Sequence, residues 1–140
     1  MRDEIAESRG PLLTTLAVLM ALLAFSNLWK PLAQAMSPQS TAGFVFLGQR
    51  LHGLANAVVG PLFGVLLAAY AYGVWNRRRG VVPLAGGYAI YVIVNLILFT
   101  AIEPPGERPG LAFMLIYAAV AIGVSGGGAV YLLRSRDLLR

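Results

Sequence analysis

A chain of 140 residues with 58% hydrophobic side chains, only 12% charged residues and a mean hydropathy of +0.71 is not an ordinary water-soluble domain, in which about a quarter of residues are charged. The absence of cysteine excludes disulfides, thiolate metal sites, iron–sulfur ligation and thiol catalysis. The net charge of +5 comes from basic residues that flank apolar segments, so nucleic acid is not an expected partner.

Four stretches of at least 20 residues carry no Asp, Glu, Lys or Arg: 10–29, 51–76, 80–102 and 109–133. Each is long enough, at about 1.5 Å of rise per residue, to cross a hydrocarbon layer of about 30 Å as a helix. The expected fold is therefore all-α: a polytopic four-transmembrane-helix bundle. It forms a single membrane domain over residues 1–140, with spans at about 11–29, 51–75, 81–102 and 110–133.

The first span opens on Gly10 and Pro11, because proline suits a first helical turn whose N–H has no partner. Trp29 and Lys30 mark its far boundary. Ala33, Gln34 and Ala35 match a signal-peptidase pattern, but the apolar stretch exceeds a signal core of about 7–15 residues and reads as a retained helix. Between Lys30 and Arg50 the run Phe44, Val45, Phe46 and Leu47 is too apolar for a free loop. Two arrangements fit: a short interfacial helix over 38–49 with Gly48 as its bend, or an outward extension of the second membrane helix from Pro38.

In the second span His52, Asn56, Gly60, Gly64 and Ala68 recur every fourth residue and share a face. Gly60 and Gly64 form a GxxxG pair that suits close helix packing, and Pro61 removes one backbone hydrogen bond. The third span places Tyr88, Tyr91 and Asn95 on one face and ends at Glu103 before Pro104 and Pro105. The fourth carries Gly123, Gly126, Gly127 and Gly128, with Gly123 and Gly127 as a second packing pair. This glycine cluster lacks the lysine, the following Ser/Thr and the preceding strand of a phosphate-binding loop.

One side of the membrane receives Arg2, Arg9, Arg77, Arg78, Arg79, Arg134, Arg136 and Arg140; the other receives Lys30, Arg50 and Arg108. The positive-inside rule then places both termini in the cytoplasm of a multi-pass protein of the cell inner membrane. The remaining polar side chains gather toward the opposite face. His52, Asn56, Asn95, Glu103 and Arg50 are candidates for a ligand-binding site opening outward, and each also has a structural reading as a boundary ion pair, a cap or an interhelical hydrogen bond.

The only aspartates, Asp3 and Asp137, lie beyond the spans, so no catalytic or metal-binding constellation is expected within them. The small-residue faces suggest an accessory or packing subunit in a homo-oligomer or larger membrane complex, bathed in membrane lipid. Two alternatives stand beside it: a small-solute or ion transporter with an outward-facing polar site, and a haem- or quinol-binding membrane subunit. The sequence identifies no cofactor.

Overall fold

The computed structural model describes residues 10–37, 43–103, 106 and 110–140. Among them four helices, α1 (Pro11–Met36), α2 (Gly53–Trp75), α3 (Val81–Ile102) and α4 (Leu111–Arg134), are each long and apolar enough to cross a membrane. The protein is a small polytopic membrane protein built as a four-helix bundle. Large apolar side chains on all four helices face outward, among them Leu54, Ile97, Leu111 and Ile116, a surface that lipid covers at no desolvation cost. The expected signal Arg2, Arg9 and Arg108, and the prolines after Glu103, lie outside the described residues.

Helix α1 runs seven residues beyond the expected boundary at Trp29, through Pro31 and on to Met36. A proline inside a helix leaves the carbonyl four residues earlier without its usual donor. Here that carbonyl is Asn27's, and Gly60 of α2 packs against it: a Cβ at Gly60 would sit 3.5 Å from the Asn27 oxygen and 3.6 Å from Cγ of Pro31. One turn further along, a Cβ at Gly64 would lie 2.7 Å from Cγ of Leu28 and 3.2 Å from the Ala24 carbonyl oxygen. The GxxxG pair of α2 is thus the surface on which α1 seats.

Residues 43–50 adopt neither arrangement suggested by the sequence. They make a β-hairpin of β1 (Val45–Phe46) and β2 (Gln49–Arg50), with Val45 opposite Arg50 and Phe46 opposite Gln49. Both turn residues have positive φ, Leu47 at 47° and Gly48 at 81°, as the tight two-residue hairpin turn demands. Helix α2 begins only at Gly53, and residues 38–42 lie outside the described residues.

The apolar core occupies the end of the bundle carrying the arginine-rich α2–α3 turn. Leu16 and Met20 of α1, Leu67, Tyr70 and Val74 of α2, Val81 and Ala85 of α3, and Leu132 of α4 are buried together there. A Cβ at Gly128 would meet Leu16 at 3.0 Å and the Tyr70 hydroxyl at 3.3 Å, which makes Gly128 the closely packed glycine of α4. The α2 terminus is capped through Arg77, whose φ is 54°. Its amide bonds to the Val74 carbonyl, and the Arg78 amide bonds to that of Gly73, the two bonds of a Schellman cap with arginine where glycine is usual. The chain end then pairs with this turn: Arg140 donates to the Arg77 carbonyl at 2.6 Å, and Arg79 donates to that of Arg140 at 2.8 Å.

Tyr70 is fully buried, and its hydroxyl has no partner among the described residues. A buried polar group left unsatisfied costs about 1–3 kcal/mol. Tyr70→Phe is therefore expected to leave the fold unchanged and raise stability by about 1 kcal/mol. Thermal unfolding in detergent checks this; a loss of stability would mean that the hydroxyl has a stabilising partner.

Candidate functional site

At the other end the bundle is opened by the hairpin, which wedges between α2 and α3. Its aromatic side chains start a ladder: Phe44 and Phe46 meet Phe63 of α2 at ring-centroid distances of 4.9 and 5.9 Å. Phe63 in turn meets Tyr91 of α3 at 4.6 Å. Tyr88 and Tyr70 continue the contacts toward the core. Aromatic rings fill this gap because offset and edge-on pairs pack well at such separations.

A backbone that is neither helix nor closed sheet needs its polar groups satisfied within the protein when it enters a membrane. Side chains from α2 and α3 do this for the hairpin. Asn56, buried in α2, accepts from the Phe44 amide at 2.9 Å through Oδ1. Asn95 of α3 accepts from the Gly48 amide at 3.0 Å, and the Tyr91 hydroxyl donates to the Val45 carbonyl at 3.1 Å. Asn56 Nδ2 donates to Oε1 of Gln34 on α1 at 2.7 Å, and the Gln34 amide nitrogen lies 3.3 Å from Nδ1 of His52. The result is a relay from the exposed ring of His52, through Gln34 and Asn56, to the hairpin backbone. His52 occupies the N-cap position of α2 without a side-chain capping bond.

Behind the hairpin lies a cavity of about 730 Å³, lined by residues of α3 and α4, by Val45 and Arg50 of the hairpin, and by Lys30 of α1. Lys30 Nζ donates to Asn27 Oδ1 at 2.9 Å and stands 5.4 Å from the Phe44 ring centroid, a cation–π contact. The structure therefore divides the candidate residues. Arg50 and Asn95 line the cavity, whereas His52 and Asn56 belong to the relay. Glu103 is the C-cap of α3, where its amide bonds to the Phe99 carbonyl.

The two glycine pairs also part company. Gly60 and Gly64 pack against α1, while a Cβ at Gly123 or Gly127 would meet nothing within 4 Å. Sequence reasoning missed the parts played by Lys30, Gln34 and Tyr91. Lys30 resembled a boundary marker and Gln34 part of a cleavage pattern; the available signal was that both are polar within one helical turn of each other, near Asn27. Among the described residues no group of three His, Cys, Asp or Glu side chains could hold a metal ion. No protein-family model, curated protein or solved structure compared with the chain matches it.

Proposed function

We propose that the chain is a non-catalytic membrane subunit whose α4 packs against a second copy of itself, with the arginine-rich end and both termini in the cytoplasm. In this reading residues 1–140 act as one membrane domain. The observation that carries it is the contrast between the glycine pairs: Gly60 and Gly64 are filled by α1, whereas Gly123 and Gly127 are open to the surface. Ile116, Val120, Gly123, Gly127 and Val130 follow three- and four-residue spacing and are all exposed, so they form one face of α4. Small residues at the centre of such a face let a second helix approach closely. The orientation rests on the cluster Arg77, Arg78, Arg79, Arg134, Arg136 and Arg140 beside the core end.

The chain's lack of cysteine gives a clean test. Val120→Cys in lipid vesicles is expected to form a disulfide-linked dimer on oxidation, and adding Gly127→Leu is expected to reduce that dimer about tenfold, equivalent to about 1.4 kcal/mol of association. A monomer throughout, with the fold intact, removes the self-association. A larger membrane complex containing a different protein is the form of the proposal left if native mass spectrometry finds another subunit on α4.

The cavity at the hairpin end favours a second reading, transport of a small solute. It has less support, because fully buried Met20, Leu67, Tyr70, Val74 and Leu132 pack between the helices toward the arginine end. A solute route needs that core to open.

A further inference from the structure

We infer that the cavity behind the hairpin binds one anionic phospholipid from the surrounding leaflet, its phosphodiester held by Lys30 and Arg50 and one acyl chain lying along α3 and α4. Two independent features converge on this occupant, and neither depends on self-association through α4.

The first is shape. At about 730 Å³ the cavity lies within the range of about 300–1,000 Å³ usual for sites that enclose a small molecule. Its wall on α3 runs from Ile93 to Ala101 and on α4 from Phe113 to Ile122. At about 1.5 Å per residue these walls are about 12–14 Å long, close to half of a hydrocarbon layer of about 30 Å. Leu96, Phe99, Met114 and Ile122 make the surface predominantly apolar. A slot one leaflet deep, running along the helices, matches an acyl chain better than it matches a compact polar solute.

The second is charge. Two cations, Lys30 and Arg50, border this apolar slot. The Lys30 ammonium is partly buried within a membrane helix, and its partners among the described residues are both neutral, the Asn27 amide oxygen and the Phe44 ring. An ammonium has three donors, and the Asn27 bond uses one. A cation at membrane depth ordinarily has an anion or a ring of carbonyls to compensate it, and basic pockets between membrane helices suit lipid phosphates. A phosphodiester at Lys30, with Arg50 as the second cation bordering the slot, supplies that compensation to the Lys30 ammonium while its chain fills the slot. A neutral amphiphile would fill the slot and leave the Lys30 charge as it is; free phosphate would meet that charge and leave the slot unfilled.

Native mass spectrometry of the full chain released from nanodiscs containing equal phosphatidylglycerol and phosphatidylcholine provides the test. The expected result is one retained phosphatidylglycerol per chain, preferred at least tenfold over phosphatidylcholine. The double variant Lys30→Gln/Arg50→Gln should abolish that preference, and Lys30→Arg should keep it. Ala118→Phe, which fills the slot with both cations in place, should reduce retention at least tenfold. Helical circular dichroism and unfolding temperature establish that each variant is folded; inorganic phosphate added to detergent-solubilised protein should not raise the unfolding temperature. Equal retention of the two lipids, undiminished preference in the folded double variant, or unchanged retention in folded Ala118→Phe would overturn the inference, as would stabilisation by inorganic phosphate equal to that by the lipid.

Discussion

Gly48→Ala is expected to unseat the hairpin and to cost about 2–5 kcal/mol. Two effects add at this position. A side chain in the left-handed region costs about 1–2 kcal/mol, and overpacking a close contact costs about 1–3 kcal/mol. At Gly48, φ is 81°, and a Cβ would sit 2.5 Å from the carbonyl carbon of Leu98 and 2.7 Å from the amide nitrogen of Phe99. These are backbone atoms in the middle of α3's last turns, so the helix cannot yield as a flexible side chain would. The hairpin must move instead. Movement breaks the Gly48–Asn95 bond and loosens the Tyr91–Val45 bond, leaving peptide groups without partners where the surroundings are apolar. Gly86→Ala is the matched control, because a Cβ at that helical site meets nothing within 4 Å, and alanine is there about 1 kcal/mol better than glycine by helix propensity. Unfolding in detergent should separate the two variants in opposite directions. Similar unfolding temperatures for both would mean that the close approach of Gly48 to α3 does not hold the hairpin.

The helices were legible because their signal is additive: twenty or more residues without charge outweigh any one local feature. Helix α3, Val81–Ile102, matches its uncharged stretch 80–102 to within one residue. The far end of α1 was misread because Trp29, Lys30 and Pro31 together look like a boundary. In the fold, the Lys30 ammonium bonds to Asn27 and stands against the Phe44 ring, and the proline's broken bond falls where Gly60 packs, so the helix continues. The hairpin was not legible for a different reason. Its strands are two residues each, and Asn95, which holds its turn, lies 47 residues away. An apolar run of that length has no period that separates strand from helix.

The candidate site was legible in part. Depth alone picked out Asn56 and Asn95 as polar groups in apolar surroundings, and that is why they matter. Spacing alone could not distinguish Gly60 and Gly64 from Gly123 and Gly127, since GxxxG records only that two small residues share a face. Which face meets a helix is decided by the long-range arrangement. The same limit concealed the cavity, whose walls come from α3 and α4 but whose cations come from α1 and the hairpin.

Asn56→Leu is expected to destabilise the protein by about 2–4 kcal/mol, although leucine is similar in size and more apolar. Asn56 is 1% exposed and uses both ends of its amide, accepting from Phe44 and donating to Gln34. The substitution leaves a buried donor and an acceptor without their partner, and each such group costs about 1–3 kcal/mol. Asn95→Leu removes a single bond, to the Gly48 amide, and is expected to cost less. Partnership with Gln34 can be isolated by a double-mutant cycle. Gln34→Leu alone strands the Asn56 amide, but in combination with Asn56→Leu it removes a donor and acceptor together, so the double variant should be more stable than the sum of the single effects predicts, by about 1 kcal/mol. What remains is then the cost of the Phe44 amide, a backbone group that no side-chain substitution can delete. Additive losses would separate Gln34 from Asn56 energetically, and an Asn56→Leu protein that unfolds like the parent would show that the hairpin is held by its aromatic ladder without this hydrogen bond.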